Sequence, residues 1–160
     1  MLGMTLETFT FVHVVLSLVG ILSGALAVSG MRAGKRRAGW TALFLVTTVA
    51  TSVSGFGFPF ERLLPSHIIG IVSLAVLTVA ILARYALHLT GVWRTVYAIC
   101  AVAALYFNVF VLVVQSFLKI PALHALAPTQ TEPPFAIAQL AVLALFVWLG
   151  IGAVKGFRSA

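Results

Sequence analysis

Imidazole and carboxamide side chains are the groups in this chain that could do chemistry, and several of them interrupt long apolar stretches. His13 and His67 can each ligate a metal ion, accept a proton or bind a polar ligand. Asn108, Gln115 and Gln139 offer hydrogen-bond donors and acceptors from later stretches. Polar groups inside apolar segments are costly, so each is a candidate functional residue. What they can do together depends on the elements that carry them.

The composition is that of a protein solvated by lipid. Of the 160 residues, 62% are hydrophobic and 8% are charged, whereas a soluble domain has roughly 25% charged residues. The net charge is +7, but the ten basic residues occupy short breaks between apolar runs. They do not form one water-exposed basic face, so we expect no nucleic-acid partner. The single cysteine, Cys100, excludes an intrachain disulfide.

Five apolar runs are long enough to cross a bilayer, which takes about 20 residues in a helix. They cover residues 8–30, 39–58, 66–87, 93–118 and 134–154. Backbone groups in lipid must be satisfied internally, which favours helices for such runs. The sequence therefore predicts an all-α integral membrane protein, a bundle of five transmembrane helices in one domain, 1–160. The prolines after the fourth run predict an irregular connection to the fifth.

The basic residues predict the orientation of this bundle. Arg62 and Lys119 lie in the second and fourth connections, and the other eight lie at the opposite ends of the runs: Arg32, Lys35, Arg36, Arg37, Arg84, Arg94, Lys155 and Arg158. Cytoplasmic loops carry the excess of Lys and Arg, so we expect the N-terminus outside and the C-terminus in the cytoplasm of a bacterial inner membrane. The first basic cluster follows the first run, which argues against a signal peptide.

In this orientation, every span contributes a polar group to the outer half of the bilayer. The candidate ligand-binding residues are those of the spans and of the second connection: His13, Thr51, Ser54, Glu61, Arg62, His67, Asn108, Gln115 and Gln139. If these faces converge, they form a pocket open to the outside with Glu61 and Arg62 at its mouth. Alternatively, the amides hydrogen-bond one another and only join the helices.

Two kinds of occupant suit such a pocket. His13 and His67 have similar predicted depths on different helices, as the axial ligands of a b-type haem would, and Ser17 and Gly70 one turn below would leave room for the macrocycle. A quinone or lipid-like molecule could instead use the same polar groups in a largely apolar site. Zinc is disfavoured because third and fourth ligands are lacking. We assign no catalytic residue.

A stripe of small residues follows one face of the first run: Ser17, Gly20, Gly24 and Ala27. Small residues at this spacing allow close helix packing, either inside the bundle or against a second copy or a partner in a membrane complex. The sequence thus supports three functional hypotheses. One is a binding or electron-transfer module for a lipophilic ligand or haem, and another is an accessory subunit of a membrane complex that packs through this stripe. The third and weakest is a membrane enzyme that uses His67 and Glu61 for acid–base work.

Two longer strings, TSVSGFGFPFERLLPSHIIG and LAPTQTEPPF, resemble those of small five-span inner-membrane proteins of proteobacteria, a group with no assigned activity. The resemblance covers most of the chain and implies the same number of spans. Length and span count are also similar to those of the translocator-protein family of porphyrin and sterol binders. The tryptophan- and proline-rich signatures of that family are absent, so its residues are not transferred.

Overall fold

The computed structural model of the protein describes residues 3–59 and 65–158. All regular secondary structure within these ranges is helical. The elements are α1 (Leu6–Arg32), α2 (Ala38–Gly55), α3 (Pro65–Ile81), a π-helical turn (Leu82–Ala86) that continues α3, α4 (Trp93–Lys119), α5 (Pro121–Leu126) and α6 (Pro133–Arg158). Five helices are long and apolar enough to span a membrane: α1, α2, α3 with its π turn, α4 and α6. The predicted all-helical architecture with five candidate spans is confirmed.

Two elements differ from the sequence prediction. The third span does not end as a regular α-helix, because Leu82–Ala86 form a π turn and His88 and Leu89 then adopt positive φ angles of 49° and 57°. The connection before α6 is not wholly irregular, since Pro121 begins the short helix α5. A proline is tolerated at the first helical position because its missing N–H would have no partner there.

Helix α4 is the centre of the bundle. It packs against α1, α3 and α6 and touches α2, while α3, α2, α1 and α6 follow one another around it. In the apolar 18-residue segment of α4, 39% of the residues are buried, whereas in the corresponding segment of α6 17% are buried. Ala98, Ala101 and Leu105 lie three or four residues apart and are almost fully buried. Small side chains on this face allow three helices to approach α4 closely.

The small-residue stripe of α1 faces the interior of the bundle. Gly20, Gly24 and Ala27 are buried, and Ser17 is half-buried. A Cβ at Gly24 would lie 2.7 Å from carbon atoms of Phe44 in α2 and of Leu105 in α4. The stripe therefore packs α1 inside its own chain, and in this arrangement a second copy or partner would have to use a different surface.

A second pair of glycines joins α1 to α6, a contact that was not predicted from the sequence. Gly152 and Gly156 are four residues apart on α6. A Cβ at Gly152 would lie 2.6 Å from Arg32 Nε, and one at Gly156 would lie 2.6 Å from the Met31 carbonyl oxygen. The Arg32 guanidinium continues along α6 to stack on the Trp148 ring, 3.9 Å from its centroid.

The basic residues at the ends of the runs come together at one end of the bundle. The last turn of α6 meets that of α1 at Gly156, Arg158 Nε donates to Thr95 Oγ1 at 3.1 Å, and Arg94 donates to the Arg158 carbonyl at 3.4 Å. We call this the basic end. The N-terminus of α1, the C-terminus of α2 and the start of α6 lie at the opposite end.

Candidate functional site

The His13 ring is held between α1 and the end of α2. Its Nδ1 lies 2.8 Å from Ser54 Oγ, and its ring meets the Phe58 ring edge-on, with centroids 5.1 Å apart. Phe58 in turn packs edge-on against Phe9, 4.9 Å between centroids. The imidazole is half-buried, so one part of the ring is fixed by α2 and the rest remains accessible.

Ser54 Oγ lies within hydrogen-bond distance of two groups, the Thr51 carbonyl at 3.1 Å and His13 Nδ1 at 2.8 Å. The hydroxyl has one hydrogen to donate. If that hydrogen goes to the Thr51 carbonyl, the Ser54 oxygen accepts from His13 and Nδ1 carries the proton. A neutral imidazole protonated at Nδ1 has an unshared electron pair at Nε2. In this tautomer His13 offers an acceptor at Nε2, as ligating histidines are oriented by a hydrogen bond at their other nitrogen.

His67 lies on the other side of α2. It is buried, with 4% of its surface exposed, and its ring lies against that of Phe56, 5.6 Å between centroids. Ser54 and Phe56 are two residues apart at the end of a helix, a separation that places their side chains on nearly opposite sides. The end of α2 therefore separates the two imidazoles.

This geometry does not fit a haem ligated by both histidines. The space expected beside Gly70 is taken by an aromatic ring, because a Cβ at Gly70 would lie 3.3 Å from Phe56. Bis-histidine ligation needs two imidazoles on opposite faces of one macrocycle, and α2 occupies that position here. Phe56 and Phe58 decide this arrangement, and their role was not predicted from the sequence. Glu61 and Arg62, the predicted mouth, lie outside the described residues.

Below His13, the polar residues of α2 form a seam with α1 and α4. Asn108 Nδ2 donates to Thr48 Oγ1 at 3.5 Å, and a Cβ at Gly20 would lie 3.2 to 3.3 Å from Thr47, Thr48 and Asn108. Thr51 donates back to the Thr47 carbonyl at 2.9 Å. Thr47 and Thr51 thus donate to carbonyls of their own helix, and Asn108 is joined to Thr48 rather than to another amide.

Gln139 and Gln115 belong to a different part of the bundle. Gln139 Nε2 donates to the Phe110 carbonyl of α4 at 3.2 Å, while its Oε1 is buried with no partner among the described residues. Gln115 is half-buried on α4. Phe110 and Asn108 project from different sides of α4, because they are two residues apart. The predicted residues therefore form separate polar contacts rather than one convergent pocket.

Among the described residues, two surface grooves are lined by none of the predicted site residues. One, of about 550 Å³, lies at the start of α2 beside Arg37, Trp40 and Leu43. The other, of about 580 Å³, runs between α2 and the end of α3. Among the described residues, no group of three or more His, Cys, Asp or Glu side chains could hold a metal ion.

Comparison of the chain with protein-family models, curated proteins and solved structures finds no match in any of the three.

Proposed function

We propose that the protein is a multi-pass protein of the bacterial inner membrane, with its N-terminus outside, that binds a lipophilic ligand through His13. The ligand presents a hydroxyl group to Nε2, as a quinol or a lipid alcohol does. The observation that carries the proposal is the Ser54–His13 hydrogen bond of 2.8 Å, in which we take Nδ1 as the donor because the Thr51 carbonyl offers the Ser54 hydroxyl an acceptor at 3.1 Å. The orientation is supported by the eight basic residues at the opposite end.

The chemistry of His13 distinguishes two forms of the same ligand. A quinol hydroxyl can donate to the free electron pair of Nε2, whereas a quinone oxygen only accepts and finds no donor there. The rings of Phe9 and Phe58 give the site an apolar side, which suits a lipophilic ring system. The ligand reaches the half-buried imidazole from the bilayer, so no enclosed cavity is required.

A titration tests this proposal in detergent micelles. Tryptophan fluorescence is followed while a short-chain ubiquinol, or the corresponding quinone, is added. We expect the quinol to bind about fivefold more tightly, as one hydrogen bond of about 1 kcal/mol predicts. His13→Ala should abolish this preference, and His124→Ala, an exposed histidine of α5, should leave it unchanged.

A Ser54→Ala variant tests the orientation of the imidazole separately. Without the Ser54 oxygen, Nδ1 no longer has to donate, so the proton can move to Nε2 and serve a quinone. We expect the preference for quinol to fall while binding is retained. Equal binding of quinol and quinone by the wild-type protein, or an unchanged preference in His13→Ala, would contradict the proposed site.

A further inference from the structure

The end of α3 carries an arginine in an unusual setting. Arg84 lies in the π turn Leu82–Ala86, a form that is rare and often found at functional sites. Its guanidinium carbon lies 5.5 Å from the ring centroids of both Tyr85 and Tyr97. The two aromatic faces hold the cation at the basic end of the bundle.

Two buried polar atoms in this cluster have no hydrogen-bond partner among the described residues. They are Arg84 Nε and Tyr97 Oη, and Tyr97 is fully buried. Thr41 and Arg84 are the polar neighbours of the Tyr97 hydroxyl, yet neither completes a hydrogen bond of ordinary geometry. Buried polar groups are normally paired, so the unsatisfied N–H of Arg84 indicates a missing acceptor.

The part of the chain that the structure describes has no carboxylate placed to serve as this acceptor. Its two acidic residues, Glu7 and Glu132, begin α1 and precede α6, at the end opposite Arg84. The seven other basic residues outside the second and fourth connections share the basic end with Arg84. The local charge is therefore strongly positive and favours an anion from outside the chain.

The Arg84 guanidinium packs against Tyr85, which also lines the 580 Å³ groove. The groove is lined by Ala42, Val46 and Ala50 of α2 and by Ile81 and Tyr85 of the α3 end, among others. The α2 residues at its two limits, Ala42 and Val53, are 11 positions apart, which corresponds to about 16 Å along a helix. The groove is an apolar channel of the length that much of an acyl chain needs.

We propose that this groove and Arg84 together bind an anionic phospholipid. The phosphate accepts from the Arg84 guanidinium, through Nε and a terminal nitrogen, and one acyl chain lies in the α2–α3 groove. Arginine binds phosphate in this two-pronged manner, and basic pockets between membrane helices hold anionic headgroups. Tyr85 is 52% exposed and is the ring that moves to admit the phosphate. The site lies at the end opposite His13 and does not depend on its ligand.

Native mass spectrometry of the detergent-solubilised protein tests this site. Phosphatidylglycerol and diacylglycerol, which has the same two acyl chains but no phosphate, are titrated in parallel, and bound lipid is counted. We expect phosphatidylglycerol to bind about tenfold more tightly, the effect of one hydrogen-bonded charge pair. Arg84→Gln should bring the two lipids close to parity, whereas Arg36→Gln, an exposed arginine of the first connection, should keep the preference.

Further variants separate the headgroup from the chain and protect the test against misfolding. Arg84→Lys keeps the positive charge but loses the paired N–H donors of the guanidinium, so the preference for phosphatidylglycerol should fall. This variant tests the role of Arg84 even if Arg84→Gln does not fold. Ala50→Leu fills the groove and should weaken both lipids with the preference intact. Inorganic phosphate in millimolar excess should not displace the lipid.

Three results would overturn the proposal. One is equal binding of the two lipids by the wild-type protein. Another is a preference for phosphatidylglycerol that both Arg84→Gln and Arg84→Lys retain. Loss of that preference to the same extent in Arg36→Gln would count equally against the proposal. The third is displacement of phosphatidylglycerol by inorganic phosphate, which would indicate an anion site without a lipid chain.

Discussion

Replacing Gly156 by alanine should loosen the contact between α1 and α6. A Cβ at this position would lie 2.6 Å from the Met31 carbonyl oxygen and 2.7 Å from the Arg32 carbonyl carbon, and it would overlap the Arg32 carbonyl oxygen. All three are backbone atoms of the last turn of α1, so no side-chain rotation can relieve the overlap. The two helices would have to separate at the basic end.

The expected magnitude follows from three terms. Overpacking costs about 1 to 3 kcal/mol, and separation also weakens the Arg32–Trp148 stack, about 0.5 to 1 kcal/mol at an exposed site. Against this, alanine raises the free energy of unfolding by about 1 kcal/mol, because its helix propensity is higher than that of glycine. The net loss is about 2 kcal/mol. For a chain of this size that lowers Tm by about 4 to 8 °C.

Thermal unfolding in detergent measures this loss, and Gly39→Ala provides the matched control. Gly39 is also helical, but a Cβ there would meet no atom within 4 Å. Its replacement should therefore raise Tm slightly through helix propensity alone. If Gly156→Ala melts at or above the wild-type temperature, or if both variants shift alike, the close α1–α6 contact is wrong.

Three further predictions concern other parts of the chain. Tyr97→Phe removes a buried hydroxyl that has no hydrogen-bond partner among the described residues, so Tm should stay the same or rise, whereas a drop of several degrees would reveal a hydrogen bond to that hydroxyl. Although desolvation opposes it, hydrogen bonds from backbone and side-chain donors at Thr129, Thr131 and Glu132 itself lower the pKa of the Glu132 carboxyl. A lowered pKa contributes stability above the pKa of an unfolded glutamate, about 4.3, which is lost as the pH falls through the folded value. At neutral pH the wild-type protein should thus have a higher Tm than Glu132→Gln, and the difference in Tm should disappear below about pH 4. A difference in Tm that does not change with pH would refute this. Reporter fusions should place the C-terminus in the cytoplasm, and a periplasmic C-terminus would reverse the proposed orientation.

The spans could be predicted because long apolar runs have few alternatives in lipid. The interior position of Gly24 also follows a rule that sequence provides, since small residues four apart mark close helix contacts. Gly152 and Gly156 carried the same signal at the end of α6 and could have been found by it. That they contact the backbone of Arg32 is seen only in the structure.

The arrangement of the polar residues could not be predicted from their depth alone. His13 and His67 have similar depth, but the direction of each side chain depends on how α1 and α3 pack against the end of α2. The rings of Phe56 and Phe58 fill the two sides of that end. Similarly, the π turn that places Arg84 depends on packing against Tyr97 and has no simple pattern in the sequence.

Nitrogen-15 NMR of the His13 ring, assigned with His13→Ala, measures the central claim most directly. In the free protein we expect Nδ1 to be protonated and Nε2 to be unprotonated. Addition of a short-chain ubiquinol should shift the Nε2 resonance, whereas the corresponding quinone should not. A protonated Nε2 in the free protein, or equal shifts with quinol and quinone, would contradict the account.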